Sequence, residues 1–345
     1  MTIRVYVIDD SAVVRQTLNH LLQGDPEFEL SGCAPNPLIA GPVIRKRRPD
    51  VLLLDIEMPG MDGLTFLRQC MAEMPIPTVI CSTLTERGSK VALDALAAGA
   101  VAVVTKPRIG LKQFLEDSRV ELLRTLKAAA RTRPRAALAV AEARIAPASA
   151  PRAPAMGGPV VLGSSTGGTQ AIEAVLSALP GDAPGIAIVQ HMPEKFTAMY
   201  AERLNGSCAM TVHEARDGDR LERGRVLIAP GGRHLQLRKA GSQYFAVVVD
   251  GPPVNRHKPS VDVLFRSVAQ CAGKDAFGII LTGMGNDGAA GMKMLHDRGA
   301  RTAAQSEETC VVFGMPMEAI RAGGVGEVLD ISEVAGAILQ FGASR

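Results

Sequence analysis

Short β-branched and apolar runs alternate with stretches of helical spacing from residue 3 to residue 126. The pattern predicts strands at Arg4–Ile8, Glu29–Ala34, Val51–Asp55, Thr78–Cys81 and Val101–Thr105. Apolar residues recur every three or four positions in Ala12–Leu22, Leu38–Arg47, Gly63–Met74, Gly88–Ala98 and Leu111–Ala128, which reads as helix. Strands alternating with helices argue for βαβ units and a parallel sheet, and the right-handed crossover rule leaves few topologies.

The pattern lapses over 127–158. These residues hold 13 Ala, 4 Pro and six Lys or Arg against one Glu, with little apolar periodicity. The stretch reads as a semi-stiff tether. Alternation resumes with strands predicted at Pro159–Gly163, Gly185–Gln190, Arg225–Ala229 and Phe277–Leu281, and a hairpin at His234–Leu237 and Phe245–Asp250 turning at Gly241. Helical spacing marks Thr169–Leu179, Lys195–Leu204, Val261–Cys271, Gly288–Arg298 and Glu333–Phe341. The expected architecture is α/β: two doubly wound parallel-sheet domains, residues 1–126 and 159–345, joined by the 127–158 linker. The second carries an antiparallel hairpin.

Composition narrows the function. Of 345 residues, 47% are hydrophobic and 21% charged, which excludes a wholly disordered chain. Net charge is 38 − 35 = +3; the linker carries +5 and the rest of the chain sums to −2, so no broad basic surface for nucleic acid is expected. The six cysteines show no CxxC spacing. The longest uncharged stretch, Ala153 to Ile172, is too rich in Gly, Ser, Thr and Pro to span a bilayer. The first ten residues read as a strand and not as a secretion signal. A cytoplasmic setting is expected.

In the first half, acidic residues stand at strand ends: Asp9 and Asp10 after the first strand, Asp55 at the third. Ligand sites of open parallel sheets lie at the carboxyl ends of the strands, so these carboxylates are expected to converge. Clustered carboxylates repel one another unless a hard cation such as Mg²⁺ neutralises them, and one can then attack a phosphoryl donor. Ser82 and Lys106, at the next two strand ends, can bond and neutralise a phosphoryl group. The segments "VIDDS", "LLLDIEMPGMDGL" and "VVTKP" resemble the receiver domain of two-component response regulators over about residues 3–125, a flavodoxin-like fold. The resemblance implies Asp55 as phosphoacceptor, Asp9 and Asp10 with the Glu57 carbonyl as Mg²⁺ ligands, Ser82 as switch hydroxyl and Lys106 as phosphate lysine. Many receivers carry an aromatic switch residue three positions before the lysine; this chain has Val103 there.

The second half opens on Val160-Val-Leu-Gly-Ser-Ser-Thr-Gly-Gly-Thr169, a strand running into a helix through a turn of Gly, Ser and Thr. Such a turn aims N–H groups at negative charge, whether a nucleotide phosphate or an oxyanion beside a serine. Gly163-Ser164-Ser165-Thr166-Gly167 fits G-x-S-x-G with Ser165 at the nucleophile position, and no Lys follows as in a P-loop. A serine needs a base and an orienting acid. His191 follows one predicted strand directly, and Asp287 lies in Thr282-Gly-Met-Gly-Asn-Asp-Gly288 after another. Asp287 could instead cap a helix. His234 and His257, in loops, could line the site. The order Ser, His, Asp differs from that of α/β-hydrolases.

"GSSTGGTQAI", "VQHMP", "APGG", "HKPSVDVLF" and "LTGMGNDGA" resemble the catalytic domain of chemotaxis protein-glutamate methylesterases over about 159–340, a Rossmann-like three-layer fold. The resemblance implies Ser165 as nucleophile, His191 as base, Asp287 as acid, and the N–H groups of Met284 and Thr166 as oxyanion donors. It also implies demethylation, and deamidation of specific glutamines, on methyl-accepting chemoreceptors. A sensor histidine kinase would supply the phosphoryl group, and the unphosphorylated receiver would inhibit by covering the Ser165 cleft. No catalytic-domain cofactor, no nucleic acid, only peripheral contact with membrane receptors and a monomeric state are expected. Two rivals remain at this level: an output domain that only binds a partner, and one that binds a nucleotide through Gly163–Gly168.

Overall fold

The alternation in the sequence becomes two parallel sheets, one in each of two units, Met1–Ala141 and Glu142–Arg345, of a computed structural model that describes residues 2–82, 86–106, 112–132 and 158–343.

In the first unit the strands are β1 (Ile3–Ile8), β2 (Phe28–Ala34), β3 (Val51–Asp55), β4 (Thr78–Ser82) and β5 (Ala102–Thr105), ordered β2-β1-β3-β4-β5 and all parallel. Every residue of β3 and β4 is buried, as strands covered on both faces require. The helices α1 (Ala12–Gln23), α2 (Pro37–Lys46), α3 (Gly63–Glu73), α4 (Glu86–Ala97) and α5 (Lys112–Ala130) connect or follow them. Ser11, Asn36 and Asp62 cap the first three by accepting N–H groups of Val14, Ile39 and Thr65. The order reverses between β1 and β3, which sets the switch point beside Asp9 and Asp55. α5 runs to Ala130, so the first residues of the stretch read as a linker are helical. Residues 133–157 of that stretch, together with Leu111, lie outside the described residues.

In the second unit the elements are β6 (Val160–Ser164), α6 (Gly168–Ser177), β7 (Ile186–Gln190), α7 (Glu194–Ser207), β8 (Thr211–Glu214), β9 (Arg220–Leu221), β10 (Arg225–Ile228), β11 (His234–Ala240), β12 (Gln243–Val249), α8 (Val261–Cys271), β13 (Phe277–Ile280), α9 (Ala289–Asp297), β14 (Arg301–Gln305), α10 (Met315–Arg321), β15 (Glu327–Leu329) and α11 (Ile331–Ala343). Seven parallel strands run β15-β14-β13-β6-β7-β10-β8, and β11-β12-β9 form a small antiparallel sheet. The hairpin is longer than its apolar residues suggest: Ala240 pairs with Gln243 across the Gly241-Ser242 turn. Arg238 and Lys239 tolerate strand positions because they lie over the rings of Phe245 and Tyr244. Strands β8, β9, β14 and β15 and helix α10 are additions to the elements predicted above. The sheet order reverses at β6, whose neighbours are β7 on one side and β13 on the other. Loops after β13, β6 and β7 therefore meet at one edge. All six cysteines are free thiols.

Candidate active site

In the first unit Asp9 and Asp55 are almost completely buried, and one carboxylate oxygen from each, with one from exposed Asp10, lie within 4.8 Å of one another. Lys106 Nζ stands 2.9 Å from Asp9 Oδ2 and 2.7 Å from Asp55 Oδ2. Burial raises the Asp55 carboxyl above the ordinary range, with Lys106 working the other way. Burial opposes the charge of Lys106, but Asp55 and Asp9 together outweigh it and hold the ammonium above its usual value. Three carboxylates against one ammonium leave a net negative cluster of hard oxygen donors, the chemistry that suits a small divalent cation. Glu57 donates its N–H to Asp55 Oδ1 at 3.3 Å. The buried Ser82 hydroxyl donates to the Gly88 carbonyl on α4 at 3.4 Å. Val103 is half-buried on β5, where an aromatic switch would stand.

In the second unit Ser165, half-buried, leaves the end of β6. Its N–H donates to Thr282 O at 3.0 Å, and its carbonyl accepts from Gly168 N at 2.8 Å and Gln190 Nε2 at 2.9 Å. Two glycines make this close turn possible. Gly167 has φ +78, and a Cβ there would lie 2.4 Å from Val311. A Cβ on Gly283 would come within 2.9 Å of the Ser165 Cβ, so the Thr282–Gly288 loop abuts the serine.

His191 begins the loop after β7, its N–H bonded to Ser164 O at 3.1 Å. Its Nε2 lies 2.8 Å from Asp287 Oδ2, while Nδ1 is buried without a hydrogen-bond partner among the described residues. An ionised carboxylate can only accept, so Nε2 carries the hydrogen and Nδ1 the lone pair. This reverses the nitrogen roles of the chymotrypsin-type triad. No hydrogen bond joins Ser165 Oγ to His191 among the described residues; such contacts often close only around substrate.

Asp287 is 1% exposed, and it does not cap its own helix: the residue before α9 is Gly288, with no side-chain cap. Its carboxylate faces the N-terminus of α8 instead. Oδ2 accepts Val261 N at 2.7 Å; Oδ1 accepts Ser260 Oγ at 2.7 Å, Asn255 Nδ2 at 2.9 Å and Asp262 N at 3.3 Å. Burial alone would raise this carboxyl. His191, Asn255 and Ser260 outweigh it and hold it well below the usual carboxylate range. The N–H groups of Thr166 and Met284 are not bonded to other described residues.

Ligand atoms of His191, His257 and Asp287 lie within 4.8 Å of one another. Yet the two imidazoles are stacked, with centroids 3.7 Å apart and planes 5° from parallel. Imidazole lone pairs lie in the ring plane, so parallel stacked rings cannot converge on one metal ion. His234 is buried and spends both nitrogens on the backbone, at Pro252 O (3.0 Å) and Ser260 N (3.2 Å). It braces the loop and does not line the cleft.

Comparison with known proteins gives this arrangement its context. Residues 160–338 match the CheB methylesterase family, and residues 5–116 match the response regulator receiver domain. The chain belongs to the CheB methylesterase family. A Dechloromonas aromatica protein named protein-glutamate methylesterase/protein-glutamine glutaminase 2 is 54% identical over 360 residues, covering 99% of each chain. A Xanthomonas oryzae protein named protein-glutamate methylesterase/protein-glutamine glutaminase 1 is 57% identical over 343 residues, covering 95% of this chain and 98% of that one. The crystal structure of the Thermotoga maritima CheB methylesterase catalytic domain is 36% identical, with a TM-score of 0.52, and covers 54% of this chain and 99% of that one.

Several residues of this CheB-family site escape a reading of the sequence. Gln190 accepts from Ser164 Oγ at 2.6 Å and donates to the carbonyls of Ser165 (2.9 Å) and His191 (3.1 Å). One buried amide thus ties the backbone at the serine to that at the histidine. Asn255, Ser260 and Asp262 surround Asp287 from a loop and helix that no G-x-S-x-G spacing marks. Ser260 carries a legible signal in part, as a helix-capping serine before an apolar run.

Proposed function

We propose that this chain is a phosphorylation-activated serine hydrolase that demethylates glutamyl methyl esters, and deamidates specific glutamines, on methyl-accepting chemoreceptors. The observation that carries this reading is the 2.8 Å His191–Asp287 pair at the ends of β7 and β13, flanking the end of β6 where Ser165 stands. Ser165 Oγ attacks the ester carbonyl as His191 Nδ1 takes its proton. Asp287 stabilises the imidazolium through Nε2. The N–H groups of Thr166 and Met284 receive the developing oxyanion. The proton returns to the leaving methoxide, methanol departs, and His191 then activates water to release the glutamate. With a glutamine substrate the same acyl-enzyme forms and ammonia leaves.

In the receiver Asp55 accepts the phosphoryl group from a sensor histidine kinase. Asp9, Asp10, Asp55 and the Glu57 carbonyl would hold Mg²⁺, which when bound neutralises charge on the phosphoryl oxygens. Lys106 pairs with the phosphoryl group and Ser82 turns its hydroxyl toward it, leaving Gly88. Among the described residues no helix is long and apolar enough to cross a membrane. The proposed setting is the cytoplasm, as a monomer at the receptors' cytoplasmic helices. Methanol release from methylated receptor membranes, with and without a small phosphodonor, tests the reading; equal release by Ser165→Ala would overturn it.

A further inference from the structure

The residues 254–257 form a tight turn: Val254 N donates to His257 O at 3.0 Å, and His257 N to Val254 O at 2.9 Å. Both central residues, Asn255 and Arg256, have left-handed φ, +50° and +68°. This is the backbone of a type I′ turn, which favours Asn at the first position and disfavours a long side chain at the second. The strain at Arg256 is held in place where both flanking side chains reach the His191–Asp287 couple.

Two buried carboxylates meet here. Asp287 is 1% and Asp262 2% exposed, and Asp262 N lies 3.3 Å from Asp287 Oδ1. Buried like charges repel and need donors shared between them. The Asn255 amide provides one hydrogen to each: Nδ2 stands 2.9 Å from Asp287 Oδ1 and 2.7 Å from Asp262 Oδ2. Arg266 reaches Asp262 Oδ2 at 3.3 Å, and Gly291 N reaches Oδ1 at 2.6 Å. On the opposite side the same turn lays His257 flat on His191.

We infer that Asn255 is a positioning residue for the hydrolysis: its side-chain amide bridges Asp262 and Asp287 and fixes the carboxylate that orients His191. This rests on the serine-hydrolase reading above. The charged and titratable groups around Asp287 are His191 from the loop after β7, His257 from the turn, and Asp262 with Arg266 from α8. Stripped of the amide, the Asp287 carboxylate becomes more basic, and the couple keeps its proton to higher pH.

The test uses the full chain, phosphodonor and methylated receptor membranes. Asn255→Gly suits the left-handed backbone and removes only the side chain. It should lower kcat by about 10- to 100-fold, the loss of one hydrogen bond to a charged group. KM should stay within about twofold, the signature of a group that acts on the reaction and not on binding. The acidic limb of kcat/KM should move to higher pH, and the low-field proton resonance of the His191–Asp287 hydrogen bond should shift. Asn255→Asp keeps the shape and adds a third carboxylate, so it should be slower still. Wild-type kcat and an unmoved acidic limb in either folded variant would overturn the inference. Ser165→Ala, run alongside, separates the failures: if it is inactive while both Asn255 variants match wild type, only the role of Asn255 falls. If it is active, the hydrolase reading falls and this inference with it.

Discussion

His191 lies flat against His257, with ring centroids 3.7 Å apart, while its Nε2 is fixed 2.8 Å from Asp287. The imidazole is therefore held on its face and at one edge, and only the Nδ1 edge is left for a proton. If His191 takes the proton of Ser165 as proposed, the His257 ring lies under a newly charged one. A π-face stabilises such a cation by about 0.5–2 kcal/mol. His257→Ala is expected to slow methanol release by about 3- to 10-fold, and His257→Phe, which keeps a flat ring, to retain most of the rate. Equal losses in the two variants would mean that the ring is not what matters.

The proposed nucleophile and base should respond as a unit. Ser165→Ala and His191→Ala are each expected to reduce turnover by about 10⁴- to 10⁶-fold, and Asp287→Asn by less, since serine, imidazole and oxyanion donors remain. Ser164 is different: its hydroxyl is buried and bonds Gln190, not substrate. Ser164→Ala should keep most of the activity. Gln190→Ala frees the carbonyls of Ser165 and His191 together and should cost about 10-fold or more at 1–3 kcal/mol for the lost bonds. Initial rates on methylated receptor membranes rank the series.

The folded-state depression of Asp287 gives a pH dependence of definite sign. A carboxyl whose folded pKa lies below its unfolded one contributes stability in full above the unfolded value, about 3.9 for Asp. That contribution fades as pH falls from there through the folded value. Thermal melts of wild type and Asp287→Asn should therefore differ most at neutral pH and converge below about pH 4. Asp262, raised above the usual range by burial, works in the opposite direction, so the comparison must be made on the Asp287 pair of proteins alone. A stability gap that widens on acidification would contradict the depression.

Phosphate incorporation from a small donor should require Mg²⁺ and disappear in Asp55→Asn. Burial raises the Asp55 carboxyl and so works against the ionised nucleophile. A divalent cation among Asp9, Asp10 and Asp55 opposes that effect, as Lys106 already does. Incorporation that survives EDTA would assign Asp9 and Asp10 to loop structure: Asp9 Oδ1 already accepts Ser11 N at 2.9 Å.

How much could be read in advance follows from where the physical signal lies. β3 is an unbroken apolar run ending in Asp55, and such a strand announces itself. β14 reads Arg-Thr-Ala-Ala-Gln and has almost no β-branched character; it is a strand because it lies between β13 and β15. The placement of Ser165, His191 and Asp287 at one sheet edge was legible because each directly follows a strand or sits in a glycine-rich loop after one. Asn255 was not, because its meaning depends on Asp287, which lies 32 positions away and reaches it only in the folded chain. Gln190 ends a strand with no pattern to mark that its amide turns back on the carbonyls of Ser165 and His191.

The coupling of phosphorylation to catalysis yields a prediction about the isolated second unit. The unphosphorylated receiver is proposed to inhibit, and inhibition is a shift between two populations. A ten- to hundredfold change in the active fraction needs only ~1.4–2.8 kcal/mol of difference between the phosphorylated and unphosphorylated receiver. Deleting residues 1–140 removes the inhibitor and should raise basal methanol release without any phosphodonor. If the 133–157 stretch acts as the tether its composition suggests, insertions in it should be tolerated, since each doubling of loop length adds only ~0.6 kcal/mol of closure entropy. The rival is positive activation, in which the phosphorylated receiver supplies something the second unit lacks, and it has the opposite sign. A truncated chain no faster than the unphosphorylated full chain, on the same receptor membranes, excludes simple relief of inhibition. One that is faster than this baseline yet slower than the phosphorylated chain shows that relief and activation act together.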